Sequence, residues 1–318
     1  MNRPEVPSLS VELGGLRLSN PVLTASGTSG YGVDLLPYFE ISRLGGIVSK
    51  SLSLRPREGN RPLRLAETPA GMLNSIGLQN IGVEAFISEK LPALRSHDVA
   101  VIANIFGETE NEFSELARRL DAAEGISALE LNISCPNTDR GGIEFGIDPD
   151  ATSRVTAAVV RSTRLPVIVK LSPNVTDITV LARAAVEAGA SILSLVNTFM
   201  GMAIDVEKRR PVLSSGSGGL SGPAIRPLAV HLLHRVSRAV RVPLIGIGGI
   251  RCGADALEFI LAGATAVQVG TATFSEPAAA VRVVDEIAAY CERHHVEDVM
   301  SLVGALENPP RRPEPPAG

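Results

Sequence analysis

Residues 128–137 read Ala-Leu-Glu-Leu-Asn-Ile-Ser-Cys-Pro-Asn. The run from Ala128 to Ser134 is β-rich, and a cysteine held between two asparagines follows it. Pro136, directly after Cys135, stops the strand and forbids a helix there. The sequence therefore predicts a thiol on a loop at the C-terminal end of a strand, where α/β folds keep their chemistry. Asn132 and Asn137 flank it with uncharged donors and acceptors. Such groups suit a planar ligand with amide-like edges better than a metal.

Seven other short apolar runs resemble this strand: residues 21–25, 46–49, 100–103, 166–169, 191–196, 243–247 and 266–269. With 128–133 they make eight. None alternates cleanly, which fits parallel strands buried on both faces. Amphipathic helical stretches separate them, at 110–123, 149–163, 177–188, 224–240, 254–261 and 276–293. Asp148-Pro149 and Asn174…Asp177 read as helix starts. Eight strands, each followed by a helix, predict an α/β fold of the (β/α)8 TIM barrel type.

Ahead of the barrel, residues 8–18 read as two short strands around Gly14-Gly15, a hairpin placed to plug the barrel's bottom. Residues 1–307 are expected to form one domain, and the Pro- and Arg-rich 308–318 a disordered tail. Two connections exceed simple barrel loops. Residues 51–82 follow the second strand and 198–223 the sixth, both at the Cys135 end. Long connections inside a compact domain are usually lids or binding segments.

Composition agrees. A chain of 318 residues suits one such barrel, and 45% hydrophobic residues supply a large core. With 3% aromatics and no Trp, that core must be aliphatic. A net charge of −4 gives no electrostatic reason to expect nucleic acid or an anionic membrane. Residues 1–7 lack the pattern of a signal peptide, and no apolar stretch of about 18 residues predicts a membrane span. The cysteines, Cys135, Cys252 and Cys291, are odd in number and far apart. That argues for a reducing, cytoplasmic setting. No CxxC pair marks a zinc or iron–sulfur site, and no metal is expected.

The residues just past the strands line the expected mouth: Ser26, Lys50-Ser51, Asn104, Asn132, Lys170, Asn197, Gly248-Gly249 and Gly270-Thr271. The first six positions are polar or cationic and the last two are glycine-rich, which suggests one ligand with two different ends. Loops after the seventh and eighth strands of many barrels bind phosphate through backbone N–H groups. Gly246-Ile-Gly-Gly-Ile250 and Val269-Gly-Thr271 fit that role. Lys170 leaves a buried strand, where a cation is costly without an anion. It either faces a ring that becomes anionic, such as a reduced flavin, or pairs with a carboxylate of a neighbouring strand. Lys50 poses the same choice. The asparagines, joined by Asn74 in the first long connection, form a neutral donor–acceptor set. Cys291 reads as a buried hydrophobe, and Cys252 less firmly so. His231 and His234 read as helix surface or packing residues, and His294-His295 as solvated. Arg55, Arg57, Arg61 and Arg64 are a substrate-loop charge cluster, a solvated face or an oligomer contact.

From about Leu9 to Tyr290 the chain resembles the dihydroorotate dehydrogenases, flavin enzymes of pyrimidine synthesis. The matching segments are Asn20 to Thr28, Lys50-Ser51, Asn74-Ser-Ile-Gly-Leu-Gln-Asn80, Asn132-Ile-Ser-Cys-Pro-Asn137, Val169 to Asn174, Asn197-Thr198, Gly218 to Ala224, Ile247-Gly-Gly249 and Gly270-Thr271. A cysteine at the position of the base resembles class 1, the soluble branch. Gly141 to Gly146 after it is most like subclass 1B, which passes electrons to NAD+ through a partner subunit carrying FAD and a 2Fe–2S cluster. Ser29 departs from the family, where an aromatic is common.

The resemblance implies FMN across the mouth, held by Ser26, Lys50, Ser51, Asn104, Asn132, Lys170, Val196, Gly222, Gly248, Gly249, Gly270 and Thr271. It implies dihydroorotate or orotate at Lys50, Asn74, Ser75, Ile76, Gly77, Leu78, Asn132, Asn137, Asn197 and Thr198. Cys135 would take the C5 proton, Lys170 would stabilise charge on the reduced flavin, and residues 136–146 would be a lid. The implied assembly is a homodimer core with two electron-transfer subunits, a heterotetramer. Three other readings compete: subclass 1A, reoxidised by fumarate; a flavin barrel for another pyrimidine; and a non-catalytic barrel binding a phosphate ligand or serving as a scaffold.

Overall fold

The computed structural model describes residues 7–133 and 145–307. Eight parallel strands close into a barrel: Val22–Thr24, Gly46–Val48, Ala100–Ile105, Ala128–Asn132, Val167–Lys170, Ile192–Leu195, Leu244–Ile247 and Ala266–Val269. All eight expected strands are present. Their side chains are buried on both faces almost throughout, which is why no run alternates. The core is aliphatic, as the composition required; Phe86, Phe113 and Phe259 are its fully buried aromatics.

The six expected helices form, each with slightly different ends: Glu110–Asp121, Pro149–Val160, Ile178–Glu187, Arg226–Ser237, Gly253–Leu261 and Ala279–Arg293. Thr109, Asp148 and Asp177 cap the first three by accepting a backbone N–H into the side chain. The expectation of a helix after every strand needs one correction. After the first strand come only short 3₁₀ turns at Val33–Leu35 and Ile41–Arg43. Gly27, Gly30 and Gly32 there take positive φ (91°, 55° and 91°), which no helix continues through. A helical run from Val83 to Leu94, not foreseen, follows the second strand. It widens to a π-turn at Phe86–Lys90, just before Pro92, which has no N–H to donate back along the helix.

Val11–Leu13 and Leu16–Leu18 form the expected hairpin, with Val11, Leu13, Leu16 and Leu18 buried. Its Gly14 abuts Ser191 and Ile192 at the start of the sixth strand, so it covers the bottom. At the opposite end the two long connections are not separate loops. Leu65–Thr68 and Gly71–Asn74 from one, and Phe199–Gly201 and Gly218–Ser221 from the other, join in one antiparallel sheet. That sheet forms one wall of the mouth.

Candidate active site

The strand register sets the site. Asn132 stands opposite Lys170, Asn104 opposite Glu130, and Lys170 opposite Ser194. Asn132 and Lys170 open at one end of the barrel on a cavity of about 330 Å³, with Asn104, Glu130 and Ser194 buried behind them. Its lining includes Ser26, Lys50, Ser51, Asn74, Ile76, Gly77, Leu78, Asn132, Lys170, Val196, Asn197, Thr198, Gly222, Gly248, Gly249, Gly270 and Thr271. All were candidates from the sequence. Asn104 and Ser75 are fully buried and stand behind this wall rather than on it. Asn104 joins Ser51 to Glu130, while the Ser75 hydroxyl meets Asn60 and Ser215. Cys135, Asn137 and most of the proposed lid (residues 136–144) lie outside the described residues. So do residues 308–318.

One end of the cavity is cationic. Lys170 is buried, and its Nζ lies 3.8 Å from Glu130 Oε1 on the neighbouring strand. The carboxylate of a neighbouring strand is there, and Lys170 also lines the cavity. Lys50 is half-buried, and burial pushes its ammonium below the ordinary lysine pKa. The nearby Arg64 charge lowers it further, and Asp34 offsets this in part. Arg64 stays in place because it donates to Gln79 Oε1 at 2.8 Å, to Glu58 O at 3.1 Å and to Asn60 O. Two cations close together favour an anionic ligand group between them. The other arginines of that cluster do different work: Arg57 pairs with Glu108 at 2.7 Å over the Phe106 ring, and Arg55 and Arg61 are exposed.

The loop from Asn74 to Asn80 is held in an uncommon shape. Gly77 and Leu78 both take positive φ, 74° and 57°. A leucine there is costly, and such strain concentrates at ligand-binding loops. Asn80 holds the turn by donating to Leu78 O at 2.8 Å while accepting from Gly82 N at 2.8 Å.

The other end is built of backbone. Gly222, Gly248 and Gly249 take φ of 95°, 131° and 73°. A Cβ on Gly249 would stand 2.7 Å from Gly222 O, and one on Gly222 would stand 2.7 Å from Gly71 Cα. Two short helical segments begin beside this cradle, at Pro223 and Thr271. Thr271 Oγ1 donates to Ser221 Oγ at 2.8 Å. This cradle fits a phosphate.

Sequence reasoning missed two kinds of residue. Leu65, Met72, Ser221 and Phe274 border the cavity from the sheet and from the turn after the eighth strand. Beneath the floor, Glu130, Ser194 and Gln268 form a buried polar layer with no exposure above 1%. Glu130 accepts from Asn104 Nδ2 at 2.7 Å, Ser194 Oγ at 2.9 Å and Gln268 Nε2 at 2.7 Å. The available signal was a charged residue in the middle of a buried strand, which is rare unless paired. Elsewhere, Cys291 is fully buried, as expected, and Cys252 is partly exposed at a helix start. His231, His294 and His295 are exposed. No described helix is long and apolar enough to cross a membrane.

Residues 8–290 match the family model described as dihydroorotate dehydrogenase. Proteins from Geobacter sp. M21, Trichlorobacter lovleyi and Pelobacter propionicus are 54%, 56% and 56% identical to this chain over 301 residues. Each alignment covers 95% of this chain and 99% of the relative. All three relatives are named dihydroorotate dehydrogenase B (NAD(+)), catalytic subunit.

Proposed function

The chain belongs to the dihydroorotate dehydrogenase family, and from that premise we propose that it is the catalytic subunit of an NAD-linked enzyme. Its reaction is the oxidation of (S)-dihydroorotate to orotate in pyrimidine synthesis, in the cytoplasm, with residues 1–307 as one domain. The observation that carries this reading is the cavity's two-ended construction, a glycine cradle facing a pair of lysines. FMN fits it: the cradle takes the phosphate, and Lys170, Asn132, Ser51, Ser26 and Val196 take the ring. Bound there, FMN would supply a two-electron acceptor for the hydride that leaves C6 of dihydroorotate.

The chain's own residues do the rest. Lys50, with Arg64 behind it, attracts the substrate carboxylate. Asn74, Asn132, Asn137 and Asn197-Thr198 match the amide edges of the ring. The strained turn at Gly77-Leu78 borders the cavity and would cover one side of the ring. Cys135 Sγ removes the C5 proton; a free thiol has a pKa of about 8.5, so a modest depression yields thiolate near neutrality. The fixed ammonium of Lys170 stabilises negative charge that develops on the bound ring. The relatives' name, catalytic subunit, supports a partner that carries the electrons onward. In the proposed assembly two such subunits, bearing FAD and a 2Fe–2S cluster, flank a homodimer of this chain and deliver the electrons to NAD+.

Purified chain is expected to be yellow, to bleach near 450 nm with dihydroorotate and to release orotate. NAD+ should reoxidise it only with its partner subunit present. A protein that stays colourless after FMN addition overturns the reading. Rapid reoxidation by fumarate alone moves the chain to subclass 1A.

A further inference from the structure

Glu130 takes no part in that mechanism, yet the orientation of the site's amides begins at it. Carboxylate oxygens accept, and the groups around Glu130 are donors, with Lys170 Nζ also 3.8 Å from its Oε1. Its Oε2 receives Ser194 and Gln268, and its Oε1 receives Asn104 Nδ2 at 2.7 Å. Asn104 must therefore turn its amide nitrogen toward Glu130 and its oxygen toward the mouth. The Ser51 hydroxyl spends its only hydrogen on that oxygen, Oγ to Oδ1 at 2.5 Å. Ser51 Oγ is left as an acceptor, and Asn132 Nδ2 donates to it at 3.1 Å. Asn132 Oδ1 then accepts from Asn197 Nδ2 at 3.3 Å, and Asn197 Oδ1 accepts from Thr198 N at 2.8 Å. Each orientation follows from the one beneath it.

We infer that Glu130 is a positioning residue that fixes the donor–acceptor polarity of the cavity floor. Through Asn104 and Ser51 it decides which atoms Asn132 and Asn197 present to a planar ring with amide edges. The inference rests on the proposed reading of the cavity as a flavin and orotate site. It assigns Asn104 the role of relay, consistent with its full burial behind the wall.

A swap of the carboxylate tests polarity. In Glu130→Gln, Ser194 and Gln268 hold the new amide oxygen at the Oε2 position, so its NH2 is driven against the NH2 of Asn104. Asn104 must turn over, and the reversal passes up through Ser51. Adding Asn104→Asp restores an acceptor facing that NH2 and another facing Ser51. The probe is orotate, titrated against FMN-loaded protein and read from the flavin difference spectrum. Glu130→Gln is expected to keep FMN and to weaken orotate binding on the order of tenfold, equivalent to about 1.4 kcal/mol. The double variant is expected to recover most of that loss.

Ser51→Ala cuts the relay with every charge unchanged and with Glu130 intact, so it serves even if Glu130→Gln fails to fold. A comparable loss of orotate affinity supports the inference. Unchanged affinity in Ser51→Ala or in folded Glu130→Gln overturns it, as does a double variant no better than the single. Wild-type protein with no orotate-dependent spectrum overturns the functional reading, and the inference falls with it.

Discussion

A methyl group on Gly249 would lie 2.7 Å from the carbonyl oxygen of Gly222. The two glycines come from different connections, after the seventh and sixth strands, and their approach makes the cradle at the phosphate end. Gly249 also holds φ at 73°, which costs an L-residue about 1–2 kcal/mol. Gly249→Ala must therefore shift the cradle as well as strain it. The expected result is a folded barrel whose FMN dissociation constant rises tenfold or more, measured from the fluorescence of released flavin on dilution. Wild-type retention of FMN would show that the phosphate does not depend on this approach.

The depressed pKa of Lys50 makes orotate binding pH-dependent. The half-buried ammonium loses its proton below the usual lysine range. A bound carboxylate favours the charged form and raises that pKa, so binding takes up a proton. Affinity is then full below the ligand-free pKa of Lys50. It falls as pH rises toward the pKa in the complex, by up to about tenfold per unit. Isothermal titration across alkaline pH should show this limb, and Lys50→Met should flatten it while lowering affinity throughout. The linkage to stability has the opposite slope: the unfolded chain holds this proton more tightly, so the ligand-free protein gains stability as pH climbs between the folded and unfolded values.

The barrel was legible because its strands are fully buried: continuous runs such as Val167-Ile-Val and Ala266-Val-Gln-Val have no solvent face to alternate against. The mouth was legible because functional side chains follow those strands directly. What stayed hidden arises from pairing between segments far apart in sequence. The sheet wall needs Asn74 opposite Gly219, a contact no local pattern encodes. The missing first helix follows from the positive φ of Gly27, Gly30 and Gly32, which a glycine permits but does not require. Glu130 was hidden within a strand, because its partners Asn104, Ser194 and Gln268 lie on three other strands.

Phe113 is a sensitive point of the core. It is fully buried on the Glu110–Asp121 helix, edge-on to Phe106 at 6.4 Å and to Phe145 at 5.8 Å. Removing its ring takes away the contact that both of those rings make. Phe113→Ala is expected to cost about 3–5 kcal/mol, seen as a lower urea midpoint with an unchanged slope. A loss under about 1 kcal/mol would mean that the cluster collapses onto the hole.

Cys135→Ala separates proton removal from every other property of the site. The variant keeps Lys170 and every glycine of the cradle, so it should load FMN with a normal spectrum and bind orotate. Flavin reduction by dihydroorotate, followed by stopped flow at 450 nm, should slow by orders of magnitude, because the C5 proton has lost its acceptor. In the wild-type chain the same rate should rise with pH through a single ionisation as the thiol becomes thiolate. Cys135→Ser should retain a little activity and move that ionisation to higher pH, since a hydroxyl is the weaker acid. Near-normal reduction in Cys135→Ala, or a wild-type rate that is flat from about pH 6 to 9, would assign the base to another group.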